Sequence, residues 1–320
     1  MERSATVNIL RAYGTGSKYR MVKLSPYLEF AFLGGISLAI WWRPLIKTFA
    51  LALRNDEYTH IFLILPVSAA LILLKWKSLE PFVEPSVRIG SALLVVAVLI
   101  AGFGKWGATG MPPDVQLSVR MLALVTWWFA AFVLCFGIRV SRLLLFPFCF
   151  LLWLVPLPQF ALDRIVGFLQ QGSALTAHLL LTVSGVPVRQ DGFVLSIPGL
   201  SVEVAKECSS IRSSLMLVVT SMVLSHLFLR SMWRKTVLVL AAIPLSIAKN
   251  GLRIFTLSML ATRVDPSFIE GRLHHEGGIL FFALSLASLC VLLWYLRNSE
   301  DTTIPQLTQM PPKRASLSQQ

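Results

Sequence analysis

Residues 201–230 read SVEVAKECSSIRSSLMLVVTSMVLSHLFLR. The stretch opens polar, turns apolar after Arg212, and ends against a basic cluster formed by Arg230, Arg234 and Lys235. An apolar run of about 20 residues is what a helix needs to cross the ~30 Å hydrocarbon core of a bilayer. A transmembrane helix is therefore expected over 208–230, with Cys208 and two serines at its mouth. The rest of the chain agrees. Of its 320 residues 55% are hydrophobic and 14% charged, and its mean hydropathy is +0.70, whereas a soluble domain carries about a quarter charged residues. Such a chain cannot cover itself with polar surface, so it reads as an integral membrane protein.

Eight spans are expected, at 29–51, 58–75, 88–105, 118–138, 142–160, 208–230, 235–261 and 278–297. The first is interrupted by Arg43 and Lys47, and the second is short. The net charge of +13 does not point to nucleic acid, because the bases are scattered through short loops and the two tails. With the N-terminus inside, the inner loops hold Lys75, Lys77, Arg88, Arg139, Arg142, Arg230, Arg234, Lys235 and Arg297, as the positive-inside rule requires. Both termini are then expected in the cytoplasm. The expected organisation is a cytoplasmic tail over 1–27, a transmembrane domain over 28–297, and a disordered cytoplasmic tail over 298–320. The first 27 residues lack the apolar core of a cleavable signal. Residues 161–207 fall outside the cell. Their first half is expected as a helix, either lying on the membrane or packed among the others. Their second half alternates and carries Asp-Gly and Pro-Gly turn signals, which predicts a small β-hairpin just before the sixth span. The fold class is thus an all-α polytopic bundle with a small extracytoplasmic β element.

Three units could carry chemistry. Cys208 opens a helix at its outer end, where the macrodipole lowers a thiol pKa. Ser209 and Ser210 add hydroxyls, and Arg212 lies one turn on. The alternative is a passive boundary cysteine. In the seventh span, Lys249, Asn250 and Arg253 interrupt an apolar run; a base at membrane depth costs at least about 2.5–3.5 kcal/mol and marks function by default. Gly251 beside them permits close helix approach. Before the eighth span, IEGRLHHEGGILFF holds His274 and His275, histidine being the usual proton shuttle near neutral pH. The adjacent pair lacks the spacing of a zinc site, so no metal and no cofactor is expected. His60, His178 and His226 read as structural. Cys135, Cys149 and Cys290 lie in apolar runs as small hydrophobes. A thiol, an imidazole and a guanidinium on consecutive spans near one membrane face are the parts of a thiol acyl-transfer site.

These residues resemble the exosortase/archaeosortase family of membrane transpeptidases, chiefly over 185–297. The resemblance is carried by Cys208 in ECSSIRSS, Arg253 in KNGLRIF and His274 in HHEGGILFF. The family places its histidine four residues before a glycine that opens the last helix, which selects His274 ahead of Gly278 and leaves His275 as the alternative. Where the family more often has glycine, this chain has Ser210. The resemblance implies a cysteine endopeptidase or transpeptidase of about eight spans in the inner membrane of a prokaryote, its active site facing outward. Its substrates would be secreted proteins carrying a C-terminal motif (Pro-Glu-Pro in the best-known branch), an apolar helix and a basic tail. It would cut at the motif through a thioester on Cys208 and pass the product to a surface glycan or lipid acceptor, often alongside exopolysaccharide production. Arg212, Asn250 and Ser209 would support the site. Two other readings compete: a non-enzymatic transporter or export component, and an intramembrane protease that releases its product to water.

Overall fold

The structure, a computed structural model, describes residues 25–104, 110–204, 211–265 and 278–308. Its helices are α1 (Ser25–Arg54), α2 (Ile61–Leu79), α3 (Val87–Gly102), α4 (Pro113–Phe136), α5 (Ile138–Leu143), α6 (Leu145–Phe150), α7 (Gln159–Val183), α8 (Ile211–Phe228), α9 (Met232–Arg263) and α10 (Gly278–Thr308). Three short strands, β1 (Arg189–Asp191), β2 (Val194–Ile197) and β3 (Leu200–Glu203), lie between α7 and α8. The protein is a polytopic helical membrane bundle with one small sheet. Its outward faces are apolar, as contact with lipid requires: Leu99 on α3, Leu175 on α7 and Val291 on α10 all stand exposed.

Two compact units divide the chain, residues 1–162 and 163–320. The first is held by aromatic packing. Tyr27 and Phe30 of α1, Trp76 of α2, and Phe132 and Phe136 of α4 meet edge-on or tilted, with ring centroids 4.7–6.1 Å apart. Such pairs add about 0.5–1.5 kcal/mol each beyond the area they bury. α3 crosses α4 at Gly90, where a Cβ would come within 2.4 Å of the Leu134 backbone. After α4 the chain turns at Gly137, whose φ of +88° suits glycine.

In the second unit, α8, α9 and α10 share a core of Leu217, Leu229, Leu238, Ala242, Leu289 and Leu296. The buried serines Ser221, Ser246 and Ser285, one on each helix, are the small polar residues that let membrane helices pack closely. α7 approaches α9 at a glycine from each side. A Cβ on Gly251 would lie 2.5 Å from Thr176 Cβ, and one on Gly172 would lie 3.0 Å from Ile247.

Several expectations need correction. Six helices among the described residues are long and apolar enough to span a membrane, not eight. The expected span 142–160 is not one helix. It breaks at Leu144 into α5 and α6, passes through a 3-10 turn at Leu151–Leu154, and stops at Pro156 and Pro158, which cannot donate a helical hydrogen bond. With α7 it forms one bent pair that could make a seventh span, and only the shorter α3 brings the number to eight. Of the two placements expected for the helix after 161, the structure shows the packed one: Val166, Gln170, Ser173, Ala174, Ala177 and Leu181 form a buried stripe along α7. The hairpin is a three-stranded antiparallel meander, because both turn signals are used. Asp191 pairs with Val194 and Ile197 with Leu200, so the second turn is Pro198–Gly199, with Gly199 at φ +81°. The tail expected to be disordered from 298 is helical to Thr308. Its Glu300 carboxylate accepts from the backbone N–H groups of Arg230 and Ser231 at 2.8–3.3 Å, a charge placed at the positive end of α9.

Candidate functional site

α9 carries its polar residues on the face it buries. Ser246, Lys249, Asn250, Ile254, Leu257, Ser258 and Ala261 are all buried, at helical three-and-four spacing, and Arg253 is half-buried in the same stripe. The membrane-depth bases therefore point into protein rather than lipid, which is where intramembrane charges are tolerated. Lys249 Nζ donates to Ser213 Oγ in the first turn of α8. That bond joins the first turn of α8 to the middle of α9. Arg253 stands one turn further along, ten residues from the end of α9 at Arg263, or ~15 Å at 1.5 Å per residue.

The sheet fixes the approach to α8. Leu195 of β2, Ala174 and Ala177 of α7, Ile254 of α9 and Val204 form one buried apolar cluster. Val204 is fully engaged. Its side chain is buried, its N–H donates to the Phe193 carbonyl at 2.9 Å, and its carbonyl accepts from Gln170 Nε2 at 2.8 Å. Gln170 is itself buried, and leaving its partner carbonyl unsatisfied would cost about 1–3 kcal/mol. The last described residue before Cys208 thus belongs to the same buried core as Ile254, the neighbour of Arg253 in the sequence.

Of the residues singled out in the sequence, Arg253, Asn250 and Arg212 are described. Asn250 is buried beside Gly251, and Arg212 is exposed in the first turn of α8. Cys208, Ser209, His274 and His275 lie outside the described residues, as do Ser210 and Glu207. Gly278, expected to open the last helix, is the first residue of α10. His60 is buried in the first unit, its Nδ1 donating to the Glu57 carbonyl at 3.2 Å and its ring edge-on to Trp153. Cys135, Cys149 and Cys290 are free thiols. Among the described residues no three His, Cys, Asp or Glu side chains gather as a metal would require.

Sequence reasoning flagged Lys249 but not its partner Ser213, and it missed Gln170 altogether. The signal for Gln170 was a pair of glutamines, Gln170 and Gln171, midway along α7: one is buried and bonded, the other exposed.

A search of curated proteins finds no match, and neither does one of solved structures. The family model described as Transmembrane exosortase (Exosortase_EpsH) matches residues 30–291, most of the chain. The match takes in both units and runs through Cys208, Arg253 and His274. The chain belongs to the transmembrane exosortase family.

Proposed function

We propose that this membrane exosortase is a cysteine transpeptidase whose reacting groups are Cys208, Arg253 and one imidazole of the His274–His275 pair. The observation that carries the reading is the Lys249–Ser213 bond. Ser213 follows Cys208 by five residues in the sequence, and Lys249 precedes Arg253 by one turn on the face that α9 buries, so the contact ties the start of α8 to the stretch that carries Arg253. Val204 shares a buried core with Ile254, and the four residues from Val204 to Cys208 span at most ~14 Å, which supports the same reading from the other side.

In this reading a secreted protein is delivered at the outer face of the inner membrane by its own C-terminal transmembrane helix, and tethering supplies the proximity that a short recognition motif cannot. The Cys208 thiolate attacks the scissile carbonyl. An S–C bond forms, and the carbonyl oxygen carries the charge of the tetrahedral intermediate. The Arg253 guanidinium stabilises that charge or holds a carboxylate of the motif. Collapse breaks the C–N bond, and the imidazolium of His274 gives its proton to the leaving amine. The thioester then passes to an acceptor nucleophile, whose proton His274 takes. Arg212, Asn250 and Ser209 support the site, His275 is the alternative proton carrier, and no metal or cofactor enters. Substrates are secreted proteins with a short motif, an apolar helix and a basic tail. The acceptor is a surface glycan or lipid, and both termini of the enzyme lie in the cytoplasm.

The test is Cys208→Ala, assayed with a tagged cognate substrate. The variant should insert normally and leave the substrate uncut. Unimpaired cutting would reject the thiol mechanism in favour of a transport or export part. The mass of the wild-type product separates transfer, which adds the acceptor, from hydrolysis, which leaves a free carboxylate.

A further inference from the structure

The first unit contains a cavity of about 590 Å³ between α1, α4 and the turn before α7. Its charge is lopsided. Arg43, Lys47 and Arg54 line it from one stripe of α1, and Arg120 from α4. Asp114 is the single acid among the lining residues, and its Oδ2 already accepts from the Gln159 N–H at 2.7 Å. Among the described residues none of Arg43, Lys47 and Arg54 is in an ion pair. The remaining polar groups hold the walls. Tyr58 Oη donates to the Leu157 carbonyl at 2.9 Å, and Arg120 Nε donates to the Gly104 carbonyl at 3.2 Å.

The three α1 bases are not ordinary loop charges. α1 is one of the helices long and apolar enough to span a membrane, and Arg43 stands eleven residues before its end at Arg54, ~16 Å along the axis. A base at that depth needs an anion or water. The cavity supplies room, and a size typical of small-molecule sites. A single carboxylate would leave most of the charge unmatched. A phosphate group, with several oxygens to accept from guanidinium forks and an ammonium, fits the charge. Apolar walls from Leu51, Leu117 and Pro44 flank the charged stripe.

We propose that this cavity is a binding site for a phosphate group, held by Arg43, Lys47 and Arg54, in the half of the protein that carries none of the three reacting groups. The site stands independently of the thiol chemistry. The group could be the headgroup of a membrane phospholipid or a soluble phosphate, and the experiment distinguishes them. Full-length protein in neutral detergent is incubated with phosphatidylglycerol, or with the matching diacylglycerol that lacks phosphate, and retained lipid is read by native mass spectrometry. Phosphatidylglycerol should be retained and diacylglycerol should not. The double variant R43Q/K47Q should lower retention at least fivefold, while R139Q/R142Q, which removes two exposed bases of α5, should not. Inorganic phosphate added as competitor at millimolar concentration displaces the lipid if the phosphate group suffices; if it does not, the ligand is the lipid headgroup. Should R43Q/K47Q fail to fold, a photoreactive phosphatidylglycerol on the wild-type protein should label the peptides of α1 and α4 that line the cavity. Equal retention of the two lipids, a loss below fivefold in R43Q/K47Q, or labelling confined to other helices would overturn the proposal.

Discussion

The two units meet the same problem, a base within a membrane-spanning helix, in different ways. In the second unit Lys249 is buried and bonded across to Ser213, and Arg253 follows it on the same face. Those charges lie on the packed face of α9, and Lys249 bonds it to the first turn of α8. In the first unit Arg43, Lys47 and Arg54 line an open cavity instead, while the packing is left to aromatic rings. A charge built into a helix contact can hold geometry, whereas a charge left facing a cavity is open to a group from outside. The two arrangements should respond differently to mutation.

The largest effect is expected at Arg253. Arg253→Lys keeps the charge but loses the planar fork, and should reduce substrate cutting by at least 100-fold while the protein still inserts and melts as the wild type. Full activity in that variant would remove the guanidinium from the reaction and make the second unit's charges structural. Next comes the helix contact beside it. Gly251→Ala puts a Cβ within 2.5 Å of Thr176 Cβ, so α7 and α9 must separate at a cost of about 1–3 kcal/mol. Thermal unfolding in detergent should show the loss, and Thr176→Gly in the same chain should restore part of it. No loss would mean that the contact yields without penalty.

A similar cost, about 1–3 kcal/mol, is expected for Gln170→Leu, which leaves the Val204 carbonyl without its donor. Because Val204 leads into Cys208, cutting should fall further than stability alone explains. A drop in stability with undiminished cutting would separate the sheet from the site. The smallest effect is expected at Glu300→Gln, which keeps an acceptor for Arg230 and Ser231 but removes the charge at the start of α9. About 1 kcal/mol should be lost, with cutting unchanged at permissive temperature.

How much of this was legible in the sequence follows from the same contrast. The helical membrane class was plain from composition, because lipid-facing surfaces must be apolar whatever the topology. Arg253, Asn250 and Gly251 were legible because each breaks an apolar run, and a break at membrane depth has a cost that only a function or a contact explains. Span number was less legible. Hydropathy over 142–160 is continuous, yet Pro156, Pro158 and the break at Leu144 divide it into short helices. The third strand was missed although its Pro198–Gly199 turn was seen, since a four-residue strand shows only two inward positions. The helical stretch 298–308 read as a tail because its stabilising contacts are remote in the sequence: Glu300 accepts from the Arg230 and Ser231 N–H groups, and Arg234 donates to the Leu296 and Ser299 carbonyls. The cavity of the first unit was invisible for the same reason. Arg43 and Lys47 were noticed only as interruptions, and nothing in α1 announces Asp114 or Arg120 seventy residues away.

The central claim, that Cys208 carries the acyl group beside Arg253, is tested most directly by trapping the intermediate. Membranes containing the wild-type enzyme and a tagged substrate are quenched during turnover and analysed by mass spectrometry with and without hydroxylamine treatment. A substrate adduct on the peptide containing Cys208, released by hydroxylamine as the hydroxamate and absent from Cys208→Ala, is the predicted result. Continued cutting with no adduct on that peptide, or an adduct on another residue, would contradict the account.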